Sequence, residues 1–197
     1  MADQQRKAEV SRKTKETDIQ ITLVIDGSGE TNISTGIGFF DHMLDALGRH
    51  SQMDLTVKVT GDLHIDGHHT VEDTGIVLGQ ALSQALGDKM GIMRFASAYV
   101  PLDEALSRAV VDFSGRGSLV FRPPLTGMTG ELDASLVREF FAAVADNAKC
   151  TLHLESLYGD NLHHKVESMF KAVAVALRDA MASNTRMKGL PTTKGAL

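Results

Sequence analysis

Hydrophobic and polar positions alternate, switch to a helical spacing and alternate again, and this cycle runs twice along the chain. Ile19 to Ile25 alternates over most of its length and is closed by Asp26-Gly27-Ser28-Gly29, so the pattern predicts a strand and a turn. From Gly38 to His50 the apolar residues Phe39, Phe40, Met43, Leu44 and Leu47 recur at three- and four-residue steps, which predicts a helix. Leu55 to Val59 alternates again, and a second helix is predicted from about His69 to Leu86. After Gly91-Ile92-Met93-Arg94, a strand is expected near Ala96 to Val100. Ala109 to Phe113 predicts another, ending in the Ser114-Gly115-Arg116-Gly117 turn, with Ser118 to Phe121 as its hairpin partner. A Pro/Gly loop over Pro123 to Thr129 precedes a helix from Leu136 to Ala148, a strand from Thr151 to Ser156 and a helix from His164 to Met181.

The two cycles are copies of one another. Leu55 falls on Leu152 at an offset of 97, which also sets Phe39 on Leu136 and His42 on Glu139. With two residues fewer in the next loop, an offset of 95 sets His68-His69 on His163-His164, Glu72 on Glu167 and Leu82 on Leu177. A period this long excludes a solenoid. The expectation is an α+β fold in which residues 1–197 form a single domain of two β-α-β-α repeats, about 10–92 and 93–197, sheets packed against helices.

Composition narrows the function classes. A formal net charge of -5 leaves no basic stripe for nucleic acid. No apolar run approaches the ~18 residues of a membrane span, and Met1 to Lys7 lacks the apolar centre of a secretory signal. A single cysteine, Cys150, excludes a disulfide framework, and the cytoplasm is the expected compartment. The first dozen and last few residues carry no ordering pattern. Aromatics are 5% of the chain and tryptophan is absent, so the interior is expected to rest on aliphatic side chains and the nine methionines.

The chemistry concentrates in histidine. Four of the eight histidines form two His-His pairs, in His68-His69-Thr70-Val71-Glu72 and His163-His164-Lys165-Val166-Glu167. Glutamate three and four residues on shares a helical face with its histidines. Neighbouring helical residues point ~100° apart, so two adjacent imidazoles serve two ions more easily than one. The repeat adds His42 and Glu139, giving eight candidate ligands: His42, His68, His69, Glu72, Glu139, His163, His164 and Glu167. Imidazole and carboxylate without thiolate suit Mn or Fe(II) better than a structural zinc site. One such pair alone would signify little; two in register, each with its glutamate, point to a metal centre. His64 and His153 lie in strand-like stretches and read as packing or supporting residues.

These residues resemble the imidazoleglycerol-phosphate dehydratase family over nearly the whole chain. The resemblance rests on Phe39-Phe40-Asp41-His42-Met43-Leu44, Gly67 to Asp73, Asp112-Phe113-Ser114-Gly115-Arg116 and Asn161 to Glu167. It implies a fold like domain 2 of ribosomal protein S5, a homo-oligomer of twenty-four subunits and two Mn ions per active site where subunits meet. It further implies Glu16 as a proton-transfer group, with His50 close to the substrate and Asp103 orienting the substrate or its neighbours. Arg94, Arg116, Lys171, Thr192, Thr193 and Lys194 resemble the set that holds the substrate phosphate. The chain departs from the family pattern at Glu139, commonly His, at Ala46, often Gln, and at Thr192-Thr193, usually Ser-Ser.

The reaction implied is loss of water from D-erythro-imidazoleglycerol phosphate, giving imidazole acetol phosphate in histidine biosynthesis. No carbonyl acidifies the C–H to be broken, so an ionised imidazole ring would expel the hydroxyl through a diazafulvene-like intermediate, and a base such as Glu16 would take the proton. Two other readings compete. A dinuclear phosphate-ester hydrolase would be expected to bridge its ions with aspartates, and Asp41 and Asp73 do not match across the repeat. A metal-storage scaffold would need neither a phosphate-binding tail nor the glutamate beside Lys15.

Overall fold

Each half of the chain runs strand, strand, strand, helix, strand, helix in the computed structural model, which describes residues 5–187 and 189–195. In the first half these are β1 (Lys7–Lys13), β2 (Thr17–Val24), β3 (Thr31–Ser34), α1 (Gly38–Ser51), β4 (Asp54–Gly61) and α2 (His68–Leu86). The second half has β5 (Phe95–Leu102), β6 (Ala105–Asp112), β7 (Ser118–Arg122), α3 (Leu136–Ala148), β10 (Thr151–Tyr158) and α4 (Leu162–Met181). A small hairpin, β8 (Met128–Thr129) and β9 (Leu132–Asp133), is inserted between β7 and α3. The strand orders β1-β2-β4-β3 and β5-β6-β10-β7 are the same order written twice. The α+β duplication expected from the sequence is therefore present, each unit carrying more strands than the alternation suggests.

The copies agree in detail. Gln52 and Lys149, 97 residues apart, end α1 and α3 in the left-handed conformation at φ 61° and 55°. Asp66 and Asn161, 95 apart, each accept the backbone N–H of the histidine two residues on, at 2.8 and 2.9 Å.

Three expectations change. Ser118 to Phe121 is not a hairpin partner of the preceding strand: β7 pairs parallel with β10, Leu119 opposite Leu152. Both sides of β6 are taken by β5 and β10, so β7 cannot pair with β6 and lies on the far side of β10. The early residues expected to lack order include β1, antiparallel to β2. As an edge strand it buries only Ala8 and part of Val10, too few apolar positions to mark the alternation. Residues 1–4 and 196–197 lie outside the described part. The interior, finally, adds aromatic rings to the expected aliphatic chains and methionine. Phe40, Phe113, Phe140, Phe141 and Phe170 are among its largest fully buried side chains; Met43, Met53, Met169 and Met181 are buried with them, while Met90, Met93, Met128 and Met187 are exposed.

The helices lie between the sheets. α1 and α2 cover the first sheet, α3 and α4 the second, and they meet as α2 on α3 and α1 on α4. Gly75 and Gly79 let α2 approach closely: a Cβ at Gly75 would stand 2.6 Å from the Phe140 carbonyl oxygen, and one at Gly79 2.7 Å from that of Val144. Phe40, Phe140 and Phe170 join three helices through ring contacts at 5.3 and 5.5 Å between centroids. His42 and Glu139 sit within two residues of this aromatic core on rigid helices. No helix among the described residues is long and apolar enough to cross a membrane.

Candidate active site

Asn161 caps α4 with its side chain and Asp66 accepts the His68 N–H where α2 begins, and the first histidine of each pair stands one turn before its glutamate. His163 Nε2 lies 3.0 Å from Glu167 Oε2, and His68 Nε2 lies 3.5 Å from Glu72 Oε2. From the facing helix α1, His42 brings its Nε2 to 3.2 Å from the same Glu167 oxygen. One ligand atom from each of His42, His163 and Glu167 fits within 4.8 Å of the others, a donor set suited to a divalent cation. Phe39 packs edge-on against His163 at 4.9 Å between ring centroids and limits its motion.

Glu167 is buried, which on its own would raise its pKa. Hydrogen bonds from Lys171, His163 and His42 outweigh the burial and hold it at about 2. The carboxylate is therefore ionised at neutral pH.

The equivalent set in the first repeat is not gathered in the same way. Glu139 turns to the guanidinium of its neighbour Arg138, at 2.8 Å, leaving His68 and Glu72 as a pair. Among the described residues, His42, His163 and Glu167 form the one group of three potential ligands.

The second histidine of each pair diverges from the first, with ring planes at 79° for His68 and His69 and 82° for His163 and His164. Each turns towards carboxylates outside its own helix. His69 places Nδ1 3.0 Å from Asp62 and Nε2 3.9 Å from Glu16, in the β1–β2 turn. His164 places Nδ1 2.7 Å from Glu104 and Nε2 3.8 Å from Asp103, in the β5–β6 turn. The hydrogen bonds to Asp62 and Glu104 raise the pKa of both histidines. Glu104 also accepts the backbone N–H groups of Asn161 and Asp160 at 2.8 and 3.1 Å; these and His164 bring its pKa to about 2. Asp62 and Glu104 escape sequence reasoning. Glu104 has a detectable signal, since the β5–β6 turn is the repeat equivalent of the turn that carries Glu16.

The basic residues divide between two places. Arg94, Arg116, Thr192, Thr193 and Lys194 line one cleft of 550 Å³ where the tail returns to the second sheet. Arg94, at a left-handed φ of 71°, donates from Nε to Asp112 at 2.7 Å and from Nη1 to the Pro191 carbonyl at 2.7 Å. Its charge is thus balanced, and it ties the tail down. Among the described residues the Arg116 guanidinium makes only a long 3.4 Å contact to the Ser114 carbonyl and Lys194 has no ion pair, so these two carry the cleft's unbalanced positive charge. Lys171 does not line this cleft; it pairs with Glu167 at 2.6 Å. His50, on the last turn of α1, has a lowered pKa, from desolvation first and then the nearby Lys171 ammonium. Ala46 is buried.

Comparison with known proteins points to a single family. A family model described as "Imidazoleglycerol-phosphate dehydratase" matches residues 35–177. A relative of that name from Methylibium petroleiphilum is 56% identical over 199 residues, covering 100% of both chains. One from Albidiferax ferrireducens is 57% identical over 194 residues, covering 98% of this chain and 95% of its own. The crystal structure of an imidazoleglycerol-phosphate dehydratase from Staphylococcus aureus superposes with a TM-score of 0.81 at 38% identity, covering 90% of this chain and 99% of that one. That from Pyrococcus furiosus superposes at 0.82 and 35% identity, covering 95% and 100%. On motif, fold and overall similarity together, the chain belongs to the imidazoleglycerol-phosphate dehydratase family.

Proposed function

We propose that the chain dehydrates D-erythro-imidazoleglycerol phosphate to imidazole acetol phosphate in histidine biosynthesis, using two Mn²⁺ ions per active site. The observation that carries this reading is the convergence of His42, His163 and Glu167 on one point. The same chain has a separate cleft with free basic groups for a phosphate. Two imidazoles and an ionised carboxylate, with no thiolate, are the donors Mn²⁺ accepts.

Bound metal supplies Lewis acidity, which favours the ionised form of the substrate's imidazole ring. The chain's own residues do the rest. Arg116, Lys194 and the Thr192 and Thr193 hydroxyls offer donors to the phosphate, and Arg94 holds the tail in place for them. Glu16 stands in an exposed turn with its carboxylate 3.9 Å from His69, so its oxygen can accept a proton from a substrate carbon held beside that histidine. Asp103 occupies the corresponding place beside His164, and His50, with its lowered pKa, is a neutral hydrogen-bond partner at pH 7. His69 and His164 turn to Asp62 and Glu104 and stand outside the His42 group, and among the described residues His68 and Glu72 form only a pair, so ligands from a second copy would complete both metal positions. This supports a homo-oligomer with sites between subunits, twenty-four in the assembly the resemblance implies, working in the cytoplasm.

The test is to incubate Mn-loaded protein with imidazoleglycerol phosphate and follow an enolisable ketone, beside a generic phosphate ester. Ketone formation that chelation abolishes and Mn²⁺ restores is expected. Phosphate release from the ester would favour a hydrolase, and full activity after chelation would end the metal reading.

A further inference from the structure

The second histidines, His69 and His164, share one arrangement reached from different parts of the fold. Each directs Nδ1 at a carboxylate, Asp62 or Glu104, and sets Nε2 3.9 or 3.8 Å from a carboxylate of a strand turn, Glu16 or Asp103. An ionised carboxylate has only acceptors, so Nδ1 must donate. In a neutral ring this places the proton on Nδ1 and leaves the lone pair on Nε2.

We infer that Asp62 and Glu104 are positioning residues that set the tautomer of His69 and His164, presenting Nε2 as a ready metal ligand. The inference rests on the metal reading above and assigns a role to two residues outside the candidate ligand set. Carboxylate support of a ligating imidazole typically changes metal affinity by about 10- to 100-fold.

The two carboxylates are held differently, and the difference makes the inference testable. Glu104 uses Oε1 for two backbone N–H groups, of Asp160 and Asn161, and Oε2 for His164. A glutamine there has one oxygen, and the two fixed amide donors claim it. Its NH₂ must then face His164 Nδ1, which forces the proton onto Nε2 and blocks ligation. Alanine removes the support without imposing the wrong tautomer. The isosteric Glu104→Gln is therefore expected to be worse than Glu104→Ala. Asp62 has no such clamp: its Oδ1 is buried without a partner among the described residues, so an asparagine can turn its oxygen to His69. Asp62→Asn is expected to be no worse than Asp62→Ala.

The experiment titrates Mn²⁺ into the full chain against a fluorescent chelator, with circular dichroism and particle size checked for each variant. Glu104→Ala should weaken binding about 10-fold and Glu104→Gln a further ~10-fold, while Asp62→Asn stays within a few-fold of wild type. A purely structural role reverses the Glu104 order, because the isostere then does least harm; that result overturns the inference. Nitrogen-15 spectra of chelated wild-type protein provide a check that needs no variant. A proton on His164 Nδ1 is expected, and a proton on Nε2 overturns the inference. Wild-type protein that takes up no Mn²⁺ while its histidine spectra show Nδ1–H would sink the metal reading and leave the tautomer assignment standing.

Discussion

Lys171 lies one helical turn beyond Glu167 and sets its ammonium 2.6 Å from the carboxylate that His42 and His163 also face. The amine thus partners Oε1 while the two imidazoles share Oε2, and one anion joins α1 to α4.

That bond has a consequence for acid stability. Glu167 is depressed from 4.5 to about 2, so it stabilises the fold above its unfolded value, and the contribution is lost as pH falls through about 2. Lys171→Met removes the strongest support and should lower the stability of chelated protein by about 1–2 kcal/mol at pH 7, the range of a charged hydrogen bond at a part-buried site. Urea midpoints measured from pH 7 down to pH 2 should show the gap between variant and wild type closing with acid. A gap that stays constant would assign the loss to packing of the lysine stem.

Glu16 separates proton transfer from metal binding. Its carboxylate is exposed in a turn and sits 3.9 Å from His69, outside the His42 group. Glu16→Gln should reduce turnover of imidazoleglycerol phosphate by about 10²–10⁴-fold, the usual weight of a positioned acid or base. Metal content by elemental analysis should not change. Normal turnover in that variant would pass the role of base to another group, with Asp103 first in line.

Removing charge from the basic cleft should act on binding. Arg116→Met leaves Arg94 on Asp112 and the tail in place, so KM should rise about 10- to 100-fold, equivalent to losing a charged hydrogen bond or two. Inhibition by inorganic phosphate should weaken in parallel, with kcat nearly unchanged. An equal fall in kcat and kcat/KM would instead place Arg116 against the reacting carbons.

Much of this is legible in the residues because a repeat is a strong local signal. Phe39, Phe40, Met43, Leu44 and Leu47 delimit helix α1 to within a residue, and the His-His-x-x-Glu copies mark the helix starts. Strands β1 and β3 leave no such mark, since Ala8, Val10 and Ile33 give edge strands almost no apolar face. The partner of β7 is hidden for another reason: the turn before it is local, while its partner β10 lies beyond α3 in the chain and already separates it from β6. In the site, spacing alone puts both histidines of each pair over one glutamate. Only the first takes that place, and the second turns to Asp62 or Glu104, which come from loops that no periodicity describes. Resemblance groups Lys171 with the phosphate residues, whereas its one-turn spacing from Glu167 is the local sign of a nearer partner.

The close approach of α2 to α3 can be tested with one methyl group. In an exposed helix Gly→Ala gains about 1 kcal/mol, because alanine loses less backbone freedom on folding. At Gly75 the added Cβ would meet the Phe140 carbonyl oxygen at 2.6 Å and the Ala143 Cβ at 2.9 Å. Backbone on a packed helix cannot swing aside as a flexible side chain can, so the helices must part, and overpacking of this kind costs about 1–3 kcal/mol or more. The clash outweighs the propensity gain. Gly75→Ala should therefore lower the melting temperature of chelated protein by about 2–8 °C, given roughly 2–4 °C per kcal/mol for a chain of this size. Gly38, the first residue of α1, has nothing within 4 Å of where an alanine methyl would stand and is the internal control. Gly38→Ala should leave the melting temperature unchanged or raise it slightly. If both variants melt alike in calorimetry, then α2 and α3 are not held at the distance their glycines permit.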